Sequence, residues 1–161
     1  MIHIGIDPDI EKPGVAIIKD GKYTAVHSLT MPVLFDLIAE CKGEECVTFY
    51  VEDVRTDTAT YYRNKSTARN KQAVQDTISQ RVGMVKGAAM TICHVIKHYG
   101  CKLVMVKPKS RAHKDAKHEA DYFKRVTGWQ GRTNQDSRDA AMLIFQFLKQ
   151  DRKTMTTTKG E

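Results

Sequence analysis

Isoleucine takes every second position from Ile2 to Ile6, with His3 and Gly5 between, and the run ends on Asp7. Such alternation reads as a strand with one apolar face. Pro8 to Pro13 make a turn, and Gly14 to Lys19, carrying Val15, Ala16, Ile17 and Ile18, reads as a second strand. Asp20-Gly21 is a two-residue hairpin signal, because both central positions of that turn need positive φ. Tyr23 to Leu29 then returns as a third strand. Pro32 suits the first turn of a helix, followed by Leu34, Leu37, Ile38 and Cys41 at helical spacing. Val47 to Glu52 is a fourth strand, again closing on an acid. Residues 53–75 are polar and basic without a clear period, and read as a long loop or a short, weakly held helix.

From Ile78 the apolar positions Val82, Val85, Ala89, Ile92, Ile96 and Tyr99 recur in steps of three and four, and Gly100 supplies a stop. Gly83 and Gly87 share another face of this helix, where they would let a strand or helix approach closely. Each costs roughly 1 kcal/mol of helix propensity, which close packing would offset. Leu103 to Val106 reads as a fifth strand before Pro108, residues 110–127 as one amphipathic helix capped at Gly128, and Thr133 to about Gln150 as the last helix. The order β-β-β-α-β-α-β-α-α is that of an α/β fold. We expect one domain over residues 1–150 and a flexible tail over 151–161.

Composition narrows the setting. The chain has 161 residues, 41% hydrophobic, and a net charge of +7. No apolar run approaches the ~20 residues needed to span a bilayer, and the opening residues read as strand rather than signal peptide. Cys41, Cys46, Cys93 and Cys101 form no C-x-x-C pair, so a reduced cytoplasmic setting, in a bacterium or a phage-infected host, is the expectation. Charge is unevenly spread: residues 1–52 carry 4 Lys/Arg against 9 Asp/Glu, and residues 53–125 carry 16 against 6. A basic middle beside acidic strand ends suits a phosphate-binding surface around a cation site, although a solvated basic surface would look the same.

Four acids stand where chemistry could use them. Two-metal phosphodiester cleavage needs oxygen ligands converging on cations roughly 3.5–4 Å apart, and Mg²⁺ prefers hard carboxylates. Asp7 and Glu52 each end an apolar strand, and Asp136 and Asp139, three apart, project from one helix face. Ala140 and Leu143 would let that helix lie on the sheet. Each acid has a plainer alternative: Asp7 starting a turn before Pro8, Glu52 at a strand tip, Asp136 completing a capping box with Thr133. Two strands that deliver an acid to the same sheet end favour the joint site.

The motifs Gly5-Ile6-Asp7-Pro8, Tyr50-Val51-Glu52, the spaced Gly83 and Gly87, and Asp136-Ser137-Arg138-Asp139-Ala140 occur in the order found in the RuvC-type Holliday junction resolvases of the RNase H-like superfamily, which the chain resembles over about residues 1–148. The resemblance implies a five-stranded mixed sheet in the order 3-2-1-4-5, its first three strands antiparallel, with helices on both faces. It implies a homodimer, two Mg²⁺ (or Mn²⁺) ions held by Asp7, Glu52, Asp136 and Asp139, and paired incisions at a four-way DNA junction. The family's basic residues near the penultimate helix match Lys109, Lys114 and Lys117 loosely. Two features depart from the family: the stretch after Glu52 is longer than in bacterial members, and Arg55 stands near where an aromatic residue often follows the second acid. Small size and divergence look like a phage or other viral member.

Two basic clusters are candidate DNA contacts. Arg55, Arg63, Lys65, Arg69 and Lys71, with Tyr61 and Tyr62 to stack on bases, fall in the 53–75 stretch. Lys107, Lys109, Arg111, Lys114 and Lys117 follow the fifth strand more densely. His94 and His98 with Cys93 and Cys101 raise a zinc site, but Cys93 and His94 would both have to turn inward. The stripe from Ile78 to Tyr99 serves equally as core or as a dimer seam, and Trp129 reads as a packing residue. Against cleavage of branched DNA stand two other functions: an RNase H-type nuclease on RNA–DNA hybrids, and a silent nucleic-acid-binding module.

Overall fold

The structure, a computed structural model, describes residues 1–54, 71–107 and 111–149, with backbone alone at 71–75 and 111–114. Its elements are β1 (Ile2–Asp7), β2 (Gly14–Lys19), β3 (Lys22–Ser28), α1 (Met31–Glu40), β4 (Val47–Glu52), α2 (Lys71–His98), β5 (Lys102–Val106), α3 (Arg111–His118), α4 (Ala120–Thr127) and α5 (Gln135–Leu143), then a 3₁₀ turn at Phe145–Phe147. The sheet order is β3-β2-β1-β4-β5. β1 and β3 run antiparallel to β2, and β4 pairs in parallel with β1 and β5. This is the order the resemblance implies. The Asp20-Gly21 turn has φ of 55° and 84°, as a hairpin of that length requires.

Alternation along the strands divides the core in two. Ile4, Ile6, Val15, Val47, Phe49 and Val51 face α1 and α2, where they meet Leu34, Ile38, Ile92 and Ile96. The other face, with Ala16, Ile18 and Tyr50, receives α5 together with Ala116 of α3 and Phe123 of α4. α5 lies very close to the sheet on this side. A Cβ on Gly5 would come within 2.2 Å of the Ala140 carbonyl oxygen, and one on Gly14 within 2.1 Å of the Asp136 carbonyl oxygen. The Tyr23 hydroxyl of β3 donates to the Ala141 carbonyl at 2.7 Å and ties the sheet edge to the same helix.

Four expectations need correction. α2 begins at Lys71, inside the stretch read as loop. No described side chain from Asp76 to Gly87 is buried, and burial begins at Ala88. The early turns, polar in sequence, continue the helix ahead of its packed end. Gly83 and Gly87 have no close neighbour among the described residues, since nothing lies within 4 Å of a Cβ at either position.

The single helix over 110–127 is two, broken at Glu119, whose backbone is extended (φ −108°, ψ 101°). The Lys117 carbonyl, which a continuous helix would offer to the N–H of Asp121, takes two N–H groups from Arg138 at 2.8 and 2.5 Å. Gly128 caps α4 in the left-handed conformation at φ 72°, as its sequence position suggests.

The last helix starts at Gln135 and stops at Leu143, well short of Gln150. Its cap is Asn134, reciprocally bonded to Ser137, rather than Thr133. Beyond Leu143 the chain turns so that Phe147 stacks on His3 at 3.8 Å, and the Lys149 N–H donates to the Gly21 carbonyl at 2.9 Å. The tail expected over 151–161 lies outside the described residues.

The close seating of α5 yields a stability test. Gly5→Ala should destabilise the chain by about 1–3 kcal/mol, because backbone rather than a flexible side chain occupies the space a methyl group would need. Urea unfolding measures this; an unchanged midpoint would mean that α5 does not sit against β1 as described.

Candidate metal centre

The strand register aims the first two acids. In β1 the residues His3, Gly5 and Asp7 alternate onto the α5 face, and in β4 Thr48, Tyr50 and Glu52 do the same. β1 and β4 are parallel and registered up to Ile6 and Val51, so Asp7 and Glu52 leave the sheet side by side at one end. Asp7 also pairs with Gly14 of β2. Because Gly14 lacks a side chain, the first turn of α5 can rest over that pair with the Asp136 backbone against it. Asp136 and Asp139, one helical turn apart, then reach the same sheet end as Asp7 and Glu52.

Electrostatics show how tightly the group is drawn. Asp7 is 9% exposed. Burial, then the carboxylates of Glu52, Asp139 and Asp136, push its pKa up to about 8 against the pull of Lys117. Burial also raises Asp136, with Asp9 and Asp139 adding to the effect and Lys117 and Arg138 opposing it. Lys117 donates to the Asp139 carboxylate in a part-buried ion pair. Burial works against its charge, but Asp139, Asp7 and Asp136 outweigh it and raise its pKa.

The sequence reading grouped Lys117 with surface DNA contacts. The fold seats it among the acids instead. Arg138, which that reading quoted only as part of a motif, is 6% exposed. Its Nε and Nη2 serve the Lys117 carbonyl, and its Nη1 donates to the Thr133 hydroxyl at 3.1 Å. The signal available was Ala140-Ala141, two residues further on, which marks the helix as core-facing. Asp9 and Asp53 were also overlooked. The Asp9 carboxylate caps the turn after β1 by accepting from the Glu11 and Lys12 N–H groups at 2.8 and 2.9 Å. Asp53 is buried, and its N–H donates to the Val106 carbonyl at 2.8 Å.

The remaining candidates divide by position. Lys107 is exposed just past β5, whose Val106 registers with Glu52, and so stands at the acidic end of the sheet. Arg111 and Lys114 lie in α3, but their side chains are outside the described set. Arg55, Tyr61, Tyr62, Arg63, Lys65, Arg69 and Lys109 lie outside the described residues. The zinc alternative finds no converging ligands. The Cys93 thiol approaches Met105 at 3.4 Å, the Cys101 thiol approaches the carbonyls of Ile38 and Cys41, and His94 and His98 are exposed. Trp129 packs against the second core cluster, as expected.

Four carboxylates at one sheet end form a hard, all-oxygen donor set, which suits Mg²⁺ or Mn²⁺ better than a soft ion. As they stand, no three His, Cys, Asp or Glu side chains among the described residues are arranged to grip one ion. The acids fit such a cation in chemistry and direction, and binding would have to draw them together.

No family model matches the sequence, and no curated protein does. Among solved structures, the chain is similar to Thermus thermophilus RuvC in complex with a Holliday junction substrate, at 16% identity, covering 91% of this chain and 94% of that one, with a TM-score of 0.51. A second Thermus thermophilus RuvC structure matches at 16% identity over 89% of this chain and 92% of that one, with a TM-score of 0.45. The first likeness establishes the fold: the five-stranded mixed sheet is RNase H-like and is shared with RuvC.

The crowding of Asp7 has a measurable consequence. Its folded pKa of about 8 lies above its ordinary 3.8, so the stability tied to its protonated form is complete at acid pH and is lost as pH rises through about 8. Without divalent ions, Asp7→Asn should therefore raise the melting temperature at alkaline pH by roughly 4–8 °C, corresponding to about 2 kcal/mol or more, and the gain should shrink towards about pH 4. Thermal melts in EDTA across that range test it, and a gain independent of pH would contradict the electrostatic account.

Proposed function

We propose that the chain is a divalent-metal-dependent endonuclease that cuts branched DNA, four-way junctions above all, with Asp7, Glu52, Asp136 and Asp139 as metal ligands and residues 1–150 as one nuclease domain. The observation that carries this reading is the delivery of four carboxylates to one end of the sheet by β1, β4 and α5, on a fold shared with a junction-bound RuvC. Clustered acids are costly unless a cation or a proton joins them. When bound, Mg²⁺ or Mn²⁺ would lower the pKa of an attacking water and steady the leaving 3′ oxygen.

The chain's own residues contribute position and charge. Asp7, on the central strand β1, would set the position of the others. Asp136 and Asp139 enter from a helix whose capping box fixes its first turn. Lys107, with Arg111 and Lys114 of α3, would meet phosphates beside the acids, and Arg55, Tyr61, Tyr62, Arg63, Lys65 and Arg69 would extend that surface.

A homodimer is part of the proposal. Gly83 and Gly87 are open on α2, with Met84 47% and Met90 53% exposed next to them. Two glycines in a helix, with no close neighbour among the described residues, are accounted for if a second copy packs on that face. Gly87→Arg should shift the chain to monomer in sedimentation equilibrium without loss of helix content. A variant as dimeric as the parent would remove α2 from the interface.

Cleavage is tested on junction, flap, duplex and RNA–DNA hybrid substrates with and without Mg²⁺. Junction nicking should need the ion and fall at least ~100-fold in Asp7→Asn and in Glu52→Gln, a loss of about 3 kcal/mol of transition-state stabilisation, while junction binding persists. Cutting confined to the hybrid would assign an RNase H-type activity, and undiminished junction cutting by both variants would sink the acidic site.

A further inference from the structure

Lys117 and Arg138 form a unit that the cleavage reading does not require. Lys117 lies in the last turn of α3, and its ammonium rests on Asp139, with side chains 30% and 22% exposed respectively. Arg138 sits in sequence between Asp136 and Asp139, yet its hydrogen bonds go elsewhere. Its Nε and Nη2 donate to the Lys117 carbonyl and its Nη1 to the Thr133 hydroxyl. It therefore does not cap the acids directly; it anchors the backbone of the residue that does.

We infer that Lys117, positioned by Arg138, is a built-in counter-ion that a divalent cation must displace from Asp139. The inference rests on the reading of the four acids as metal ligands. A half-buried cluster of carboxylates needs compensating positive charge in the absence of metal, and a tethered ammonium supplies it. The same contact occupies an oxygen of Asp139, so ion and lysine compete for one ligand. Because the tether holds the Lys117 carbonyl rather than its side chain, the ammonium can leave by rotating about its own bonds while α3 stays in place. The absence of a ready three-ligand cluster among the described residues fits this state, in which Asp139 is engaged with lysine.

Mn²⁺ binding, followed by isothermal titration and by the electron paramagnetic resonance of the free ion, tests the exchange without any cleavage assay. Lys117→Met should bind Mn²⁺ at least ~10-fold more tightly than the parent, whereas Lys107→Met, which removes an equal charge at the same sheet end, should gain less than ~3-fold. Lys117→Gln serves if the methionine variant does not fold.

Arg138→Lys keeps the charge but cannot bridge the Lys117 carbonyl and the Thr133 hydroxyl together. It should tighten binding by a few-fold, and that gain should vanish in the Lys117→Met background, a coupling that general loosening of α5 would not produce. In EDTA, Lys117→Met should melt lower than the parent, and saturating Mn²⁺ should close the gap. Equal gains for the Lys117 and Lys107 variants, or additive effects of Lys117→Met and Arg138→Lys, overturn the inference while leaving the metal site standing. A parent chain that takes up no Mn²⁺ overturns the metal site and the inference together.

Discussion

The approach of α5 to the sheet is the constraint on which the candidate site depends. Helices usually rest on a sheet through intervening side chains. Here two strand positions have none, and the carbonyls of Asp136 and Ala140 occupy the space where Cβ atoms of Gly14 and Gly5 would be. That proximity brings a helical Asp-x-x-Asp within electrostatic reach of an acid at the tip of β1. Without it the two acids of α5 would not join those at the tips of β1 and β4.

Bringing like charges together has a cost, and the surrounding structure shows how it is distributed. Part appears as the raised pKa of Asp7. Part is offset by Lys117, whose ammonium enters from a different helix. Arg138 joins α5 to α3, and the same hydrogen bonds that hold Lys117 coincide with the break between α3 and α4. Local helix geometry, backbone hydrogen bonding and site electrostatics thus meet in three residues, 117, 138 and 139. The competing demands of a stable metal-free fold and an open ligand set fall on the same atoms.

Much of this was readable before any coordinates. The β2 and β4 boundaries, the Asp20-Gly21 turn, the Gly128 cap and the alternation that turns Asp7 and Glu52 to one face all follow from local rules with a period of two or a specific φ. The misreadings cluster where those rules lack an input. α2 extends through Lys71–Thr77 although that stretch of sequence carries no apolar period. The 110–127 helix breaks because a guanidinium from a residue 21 positions away takes a carbonyl that the local pattern assigned to the helix. The last helix ends early, and beyond it Phe147 stacks on His3 of β1. The last two involve long-range contacts that have no signature within their own window of sequence.

By itself, then, the chain determined which residues alternate to the inside, where the strands deliver carboxylates, and that the order of elements is α/β, since these depend on neighbours at most a few residues apart. Tertiary structure alone decided that Gly5 and Gly14 are seats for α5 rather than merely parts of a strand and a turn. It also decided that Lys117 belongs with the acids, and that Arg138 faces inward. The physical reason is that burial and charge pairing are set by distance in space, and residues 7, 52, 117 and 139 become neighbours only after the sheet has paired and α5 has closed upon it.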